Sequence, residues 1–173
     1  MKDKRFIIIV IILFLLLGGF YLYKGMGFDE SRWDVHYENL SVTTVGYATY
    51  TEPVFEGTVL KNYTVSVRNP GDAVTYQFEI VNNGTSSAKL MSVVKSTPKC
   101  TNSHIPDEEV VCEDVSYQVL NEDGTDLKEG IIIMPNARKT VKIKVELPVS
   151  VTSIEDVVTI SNLDVDLLFQ KVH

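Results

Sequence analysis

The sequence predicts an all-β protein. Its main part is expected to be an antiparallel β-sandwich of immunoglobulin-like or jelly-roll type with about 8–9 strands, preceded by one N-terminal transmembrane helix. Two observations predict the sandwich. From Trp33 onward apolar and polar residues alternate with period two, and turn residues interrupt the alternation about every 8–12 residues. Strands with one apolar and one polar face form antiparallel sheets that bury their apolar faces against each other. A third observation, an uncharged N-terminal stretch, predicts the helix.

The N-terminal stretch comprises residues 6–23 and contains no charged residue. A helix needs roughly 20 apolar residues to cross a bilayer, so this stretch is long enough to be a signal anchor. Lys2, Lys4 and Arg5 lie before it, and positive charge favours the cytoplasmic side of a membrane. The sequence therefore predicts a single-pass protein of the cell membrane with a cytoplasmic start, a juxtamembrane linker and an extracellular domain, at residues 1–5, 24–32 and 33–173.

A cleaved signal peptide is the alternative to an anchor. Gly25-Met26-Gly27 is the nearest site of the small-x-small type, and cleavage near Gly27 would release a secreted chain that begins at Phe28. The apolar run is longer than the roughly 7–15 residues of most signal peptides, and no Ala-x-Ala follows it. The uncleaved anchor is therefore favoured, and secretion remains the alternative.

The strands of the exterior domain are marked by their alternation. The clearest is 74–80, where Val, Tyr, Phe and Ile alternate with Thr, Gln and Glu. The other predicted strand segments, in order, are 33–38, 40–50, 63–68, 88–97, 115–119, 131–134, 141–147, 157–160 and 163–169. The segment 98–114 is acidic and lacks alternation, so it is predicted to be irregular.

Two turn signals bracket the clearest strand. Pro70-Gly71-Asp72 precedes it, and Asn82 and Gly84 follow it within Asn-Asn-Gly-Thr. Proline presets one turn angle, glycine allows positive φ, and Asp and Asn bond to nearby backbone amides. These five residues are predicted to fix the two ends of the strand.

The two cysteines, Cys100 and Cys112, both lie in the exterior domain. In an oxidising compartment a pair this close in sequence is predicted to form one disulfide, worth about 3 kcal/mol in the loop-entropy model. A zinc site is disfavoured because there is no Cys-x-x-Cys, and His104 is the only nearby imidazole. The disulfide is expected to staple a loop and not to join the two sheets.

Charge and motifs exclude several classes of function. The chain carries a net −7 although its first residues are basic, so the exterior is acidic, which argues against nucleic acid or anionic lipid as a partner. The histidines are His36, His104 and His173, and none stands in a catalytic motif. No motif for a cofactor or metal occurs, and the prediction is that the protein is not an enzyme.

Two weaker signals remain. Acidic residues cluster at 107–109, 113–114 and 122–126, but Gly124 falls too early for an EF-hand loop, so a solvated hairpin turn is favoured over calcium binding. Asn39, Asn62 and Asn83 each begin a formal glycosylation acceptor, which matters only in a host that glycosylates asparagine.

The string from Asn69 to Thr85, followed by Ala88, resembles the Pro-Gly-Asp…Asn-x-Gly-Thr…Ala signature of bacterial cell-surface β-sandwich proteins. These include the TasA/camelysin-type proteins of the biofilm matrix and the repeat modules of large adhesins and surface-layer proteins. The resemblance spans about 33–170, with further similar strings at 112–117, 123–125 and 139–143. It implies a surface sandwich without a cofactor. The camelysin branch carries a peptidase label, but no zinc-binding motif stands here, so no catalytic residue is carried over.

These observations lead to two hypotheses. The first is a membrane-tethered extracellular structural or interaction protein of the bacterial cell surface, with self-assembly into matrix or fibres as its specific form. An exposed edge strand would be its assembly site, and the freed segment 24–32 the donor strand after cleavage. The second is an accessory ectodomain that binds a ligand or another surface protein through the loop 98–114.

Overall fold

The computed structural model describes residues 32–102, 112–151 and 157–172. These residues form antiparallel sheets and contain no α-helix, so the predicted all-β class is confirmed. Within the same ranges there is no apolar helix long enough to cross a bilayer. The predicted cytoplasmic start, the anchor and the linker up to residue 31 lie outside the described residues. Trp33–His173 is one compact unit.

The strands number eleven in the described residues, against the eight or nine that the sequence predicts. Six have nine residues or more: β1 (Val35–Val45), β4 (Val59–Val67), β5 (Ala73–Asn82), β6 (Ser87–Lys95), β10 (Arg138–Glu146) and β11 (Val158–Val172). The other five are β2 (Thr49–Tyr50), β3 (Val54–Glu56), β7 (Lys99–Asn102), β8 (Ser116–Asn121) and β9 (Ile132–Ile133). The excess over the prediction comes from short strands, which carry too few residues to show a period.

Two sheets share the strands. The four-stranded sheet has the order β1-β5-β10-β8, and the seven-stranded sheet has the order β2-β4-β11-β6-β9, with β3 on β4 and β7 on β11. The chain changes sheet after β1, β4, β5, β7, β8, β9 and β10. Each sheet therefore contains strands from both halves of the sequence, and neither half can form its sheet alone.

The inner faces of the two sheets meet in one core. The alternation of β5 works as the sequence predicts, because Val74, Tyr76, Phe78 and Ile80 are buried and the residues between them are half-buried. Val65 of β4 and Ile160 of β11 belong to the same hydrophobic cluster from the other sheet. Burial of large side chains from both sheets, at roughly 25 cal/mol for each Å² of apolar surface, is the main stabilising term.

Three buried tyrosines and the half-buried Tyr117 add polar contacts across this core. Tyr37 and Tyr76 donate hydrogen bonds from the four-stranded sheet to the carbonyls of Thr58 and Thr51, at 2.5 and 3.1 Å. The hydroxyl groups of Tyr63 and Tyr117 lie 2.9 Å apart, and Tyr117 donates to the carbonyl of Asp164 at 3.1 Å. Each phenol thus finds a partner without leaving the apolar interior.

Bulges correct two predicted strand boundaries. The sequence separates 33–38 from 40–50 at Asn39, but β1 runs through Asn39, which sits at φ 56° in a register shift between Glu38 and Ser41. In the same way β11 continues through Asn162, at φ 55°, beside another register shift. Asparagine tolerates the left-handed region, so it interrupts the alternation without ending the strand.

The two ends of the two-sheet domain take their names from the residues that close β5. At the Asn82 end the chain enters the domain at Trp33, and β5 and β10 meet through the pair Arg138 and Val81. At the Asp72 end lie the turns that follow β1, β4 and β10, since Val45 and Glu146 both pair with Ala73.

Candidate functional site

Asp72 closes one end of the central strand β5 and is buried, with 2% of its surface exposed. Its carboxylate accepts hydrogen bonds from the amides of Tyr47 at 2.9 Å and of Arg68 and Asn69 at 2.8 Å. Its backbone carbonyl accepts a bond from Leu147 at 2.9 Å. One residue therefore holds together the turns that follow β1, β4 and β10.

The charge of Asp72 is stabilised where it lies. Burial by itself would raise the pKa of the carboxyl group, but the amide bonds from Asn69, Tyr47 and Arg68 outweigh it and the pKa is lowered. All the partners are backbone amides within the fold. Asp72 is thus a structural anion and is not presented to a substrate.

The glycines beside Asp72 explain why the turns can approach so closely. Gly71 has φ 91° and donates to the carbonyl of Leu147 at 2.6 Å. Gly46 has φ 70°, and a Cβ atom there would lie 2.0 Å from Oδ1 of Asp72. The predicted residues Pro70, Gly71 and Asp72 do form one turn. Sequence reasoning missed Gly46, because it placed residues 40–50 in one strand. That prediction is wrong at Gly46, since β1 ends at Val45 and β2 begins at Thr49 in the other sheet.

Asn82 closes the other end of β5, with 1% of its surface exposed. Its side-chain amide donates to the carbonyls of Ser86 and Ile133, both at 2.9 Å, and its side-chain oxygen accepts from the amide of Gly84 at 3.0 Å. The predicted turn residues Asn82 and Gly84 therefore lie together and tie β5 to β9 of the other sheet. Asn82 and Gly84 lie at the opposite end of β5 from Asp72, so the predicted turn residues form two separate hydrogen-bonded turns.

Cys100 and Cys112 form the predicted disulfide, with the sulfur atoms 2.11 Å apart and the Cα atoms 5.5 Å apart. Cys100 lies on β7 in the seven-stranded sheet, and Cys112 lies in a 3-10 turn, Cys112–Asp114, that leads into β8 of the other sheet. As expected, the bond closes a short loop, of sequence separation 12, and does not join strands of the two sheets, because Cys112 lies in a turn. The prediction that the whole segment 98–114 is irregular is wrong at its start, because β7 pairs with β11.

The only described histidine, His36, lies in a charged cluster on the outer face of the four-stranded sheet. Its ring nitrogens contact Asp34 at 2.9 Å and Glu38 at 3.0 Å. Arg138 of β10 donates to Glu38 at 2.9 Å and to Glu79 of β5 at 2.8 Å. The cluster thus crosses three strands at the Asn82 end.

Electrostatics within this cluster favour its charged forms. The bond to Glu38 is the largest influence on His36, and with Asp34 it raises the pKa of the imidazole. The bonds from His36 and Arg138 lower the pKa of Glu38, and those from Arg138 and Asn39 lower the pKa of Glu79. The two carboxylates orient the imidazole of His36, but neither contact is with a hydroxyl or thiol that the imidazole could activate as a nucleophile. The cluster fastens β1 to its neighbours.

The acidic turn after β8 is the hairpin turn that the sequence favours. The amide of Asn121 donates to Thr125 at 2.7 Å, and Gly124 donates back to Asn121 at 3.0 Å. The Asp123 carboxylate accepts from the amide and the hydroxyl of Thr125, at 3.0 and 2.7 Å, which lowers its pKa. Throughout the described ranges, no three His, Cys, Asp or Glu side chains are grouped so as to hold a metal ion. His104, His173 and the acids at 107–109 lie outside those ranges.

The two edges of the four-stranded sheet differ. The edge at β8 is covered, because Leu127 donates to Val119 at 2.9 Å and the amino group of Lys95 donates to the carbonyl of Tyr117 at 2.8 Å. The edge at β1 pairs with β5 on one side, and no strand of the described residues pairs with its other side. In its second half, Ser41–Val45, four of five side chains are exposed and none is charged.

The Asp72 end presents apolar side chains on fixed turns. Tyr47 is 75% exposed although its amide is held by Asp72, and Val149 is 80% exposed beside Gly71. Val45, at the end of β1, is also exposed. The turn into β8 and its disulfide lie at the same end, because Ser116 pairs with Glu146.

Comparison with known proteins gives no relative for this chain: no protein-family model, no curated protein and no solved structure matches it.

Proposed function

We propose that the protein is a membrane-tethered extracellular structural protein of the bacterial cell surface, which associates through strand β1 into matrix or fibres. In this proposal residues 6–23 form the transmembrane anchor, and the two sheets are an immunoglobulin-like or jelly-roll-type sandwich. The basic and apolar N-terminal sequence, the disulfide of an oxidising compartment and the resemblance to TasA/camelysin-type surface proteins support it.

The uncovered edge of β1 is the observation that carries the proposal. An edge strand presents unpaired backbone groups that can extend the sheet with a strand from another chain. Natural proteins usually blunt such an edge with charges, bulges or covering segments. In the first half of β1 the charged cluster around His36 and the bulge at Asn39 serve this purpose. In the second half, Ser41–Val45 consists of Ser, Thr and Val and, among the residues that the structure describes, has neither charge, bulge nor covering strand.

A pair of lysine variants tests the edge. Thr44 shares the inner face of β1 with buried Val74 but is itself exposed, so Thr44→Lys adds an inward-pointing charge to the edge while the charge stays hydrated. Thr140→Lys, on the outer face of the central strand β10, adds the same charge away from the edge and is the control.

The full chain would be expressed in a Gram-positive host and separated into medium, wall and membrane fractions. The intact mass of each fraction and negative-stain images would then be taken. A full-length mass in the membrane supports the tether, and a mass that starts near Phe28 in the medium supports the secreted alternative. Filaments of the wild type and the Thr140→Lys variant, but not of Thr44→Lys, support assembly through β1. Monomers of all three at high concentration would refute it.

A second candidate is an ectodomain that binds a partner protein through the Asp72 end. The exposed Tyr47 on a rigid turn favours this function, because interface hot spots are enriched in tyrosine and preorganised anchors lose little entropy on binding. Tyr47→Ala should reduce capture of a surface partner at least fivefold. Thr75→Ala, on the outer face of β5, is the control and should leave capture unchanged. Unchanged capture by the Tyr47 variant would exclude this end as the contact.

A further inference from the structure

One half of the outer face of the seven-stranded sheet exposes several apolar side chains. Met91 and Val94 of β6, Ile132 of β9 and Leu168 of β11 are each between 43% and 52% exposed, and Met134, just after β9, is 59% exposed. These five residues are called the apolar patch.

The residues of the apolar patch are neighbours by strand register. Ile132 pairs with Lys89, two residues before Met91, and Leu168 pairs with Ser92, next to Met91. Asp166 of β11 pairs with Val94 at one border of the patch. The hydroxyl of Ser87 donates to the sulfur of Met134 at 3.5 Å, so Met134 lies beside the start of β6. Contiguous exposed apolar surface of this kind marks an interaction site more often than scattered single residues do.

The other half of the same face is polar. Toward the Asp72 end Thr49, Ser66, Thr159 and Thr101 lie directly opposite one another on four adjacent strands. The hydroxyls of Ser66 and Thr159 are 3.1 Å apart. The apolar surface is therefore confined to the half near the Asn82 end, where β6 begins beside the last residues of β11, since Ser87 pairs with Val172.

The chain enters the domain at this end. The amide of Asn83 donates to the carbonyl of Asp34 at 2.9 Å, next to the first described residues. The predicted linker 24–32 can span at most about 30 Å between the anchor and the domain. If residues 6–23 lie in a membrane, a linker of this length lets the domain reach the lipid surface but does not by itself press it there.

We infer that the apolar patch rests on the surface of the bilayer that holds the N-terminal anchor. The inference rests on the proposed tether and adds a second, weaker membrane contact to it. Two methionines suit a lipid surface because their side chains are flexible and adapt to an irregular apolar environment. Two charged residues, Lys89, in line with Ile132, and Glu129, lie beside Met91. The long side chain of Lys89 is compatible with lipid headgroups.

This contact follows from apolar burial and does not need net positive charge. The sequence-level argument against anionic lipid concerns the charge of the whole exterior, whereas this half-face is a local apolar surface. The contact should therefore form on zwitterionic lipid as well as on anionic lipid, and added salt should not release it.

Tryptophan fluorescence in vesicles tests the inference on the full chain. Trp33 is the only tryptophan, so a Trp33→Phe background carries one new reporter at a time. Met91→Trp places the reporter in the apolar patch, and Thr140→Trp places it on the outer face of the other sheet as the control. Each variant would be reconstituted in phosphatidylcholine vesicles with and without brominated lipid, at low and high salt.

Brominated lipid should quench the Met91→Trp indole at least threefold more than the Thr140→Trp indole, with the same ratio at both salt concentrations. Equal quenching of the two reporters would refute the contact. A blue-shifted Met91→Trp emission that depends on protein concentration without vesicles would show that a second copy covers the patch and would also refute it. Flotation of the vesicles after alkaline extraction distinguishes failure of the tether from failure of the patch contact. A chain that does not float with the vesicles lacks the tether itself.

Discussion

Oδ1 of Asp72 occupies the space that a side chain on Gly46 would need: a Cβ atom on Gly46 would lie 2.0 Å from it. The same oxygen accepts the amide of Tyr47, so it cannot move away without losing a hydrogen bond. A glycine in one turn and a buried carboxylate in another are thus required together. The exposed position of Tyr47 depends on this pair.

Gly46→Ala should destabilise the domain strongly. Alanine at φ 70° costs roughly 1–2 kcal/mol, and the collision with Asp72 adds about 2 kcal/mol through the weakened charge-assisted bond. Gly57→Ala is the matched control, because Gly57 has φ 63° but no atom within 4 Å of its added Cβ. Urea unfolding should show the difference between the two variants. Equal losses would mean that backbone strain alone decides.

Asp72→Asn should lower the free energy of unfolding by about 2 kcal/mol at neutral pH. It should also make that free energy depend less on pH in the acid range. The pKa of Asp72 is lowered in the fold, so its contribution is present above its ordinary pKa and is lost as pH falls through the folded value. The wild type should therefore lose stability on acidification more steeply than the variant. Parallel curves of unfolding free energy against pH would contradict this assignment.

The sequence predicts the class of the fold well and its edges poorly. Alternation identifies the inner faces of β5 and β10, because a buried face and a wet face leave a period of two. It does not find β3 or β7, of three and four residues, it merges β2 with the end of β1 in the segment 40–50, and it divides β1 at Asn39 and β11 near Asn162. An asparagine in a bulge and an asparagine in a turn have the same local conformation, and only pairing with a neighbouring strand distinguishes them.

The candidate sites show the same limit. Asp72 and Asn82 are predictable because turn chemistry is local. The contact of Asp72 with Gly46 and the apolar patch are not, since they join residues distant in sequence. The place of Cys100 in the seven-stranded sheet is equally hidden, because the pairing of β7 with β11 decides it.

Removal of the disulfide should destabilise the domain without changing its class. Cys100→Ala together with Cys112→Ala opens a loop of sequence separation 12 and should cost about 3 kcal/mol in the loop-entropy model. Because Cys100 is buried, Cys100→Val with Cys112→Ala fills more of the space and separates the packing loss from the crosslink. Circular dichroism should stay β-rich while the urea midpoint falls. An unchanged midpoint for both variants would show that the crosslink adds no stability.

Alkaline unfolding should be steep because of the buried tyrosines. Desolvation raises the pKa of Tyr37, Tyr63, Tyr76 and Tyr117 well above their ordinary value, so the folded state keeps phenolic protons that the unfolded state loses. Their contribution is complete below pH of about 10 and falls as pH rises further. Phenolate absorbance should therefore appear together with the loss of the fold.

One phenol can be removed to test that account. Tyr117→Phe deletes the hydroxyl that contacts Tyr63 and Asp164 and should cost about 1 kcal/mol at neutral pH. It should also reduce by about one the number of protons released on alkaline unfolding, which is read from the slope of the unfolding free energy against pH. If phenolate absorbance of the wild type rose gradually while the fold persisted, the four groups would not be as buried as described.

The His36 cluster should fasten β1 in a pH-dependent manner. A neutral imidazole carries one N–H, whereas both of its nitrogens face carboxylates, so the contacts with Asp34 and Glu38 are both donated only by the protonated ring. The raised pKa of His36 means that this contribution is full below the ordinary pKa of about 6.5 and is lost as pH rises through the folded value. Amide exchange in β1 should accordingly become faster, relative to β10, as pH rises through that range.

A double variant is the control for this switch. Asp34→Asn with Glu38→Gln keeps the shape of the cluster but removes both charges next to the ring, so the pKa of His36 should fall, as followed by the NMR shifts of its ring protons. Glu79 and Arg138 remain in place and continue to join β5 and β10. If the double variant titrated at the same pH as the wild type, the two carboxylates would not hold the proton. The pH dependence of β1 would then need another origin.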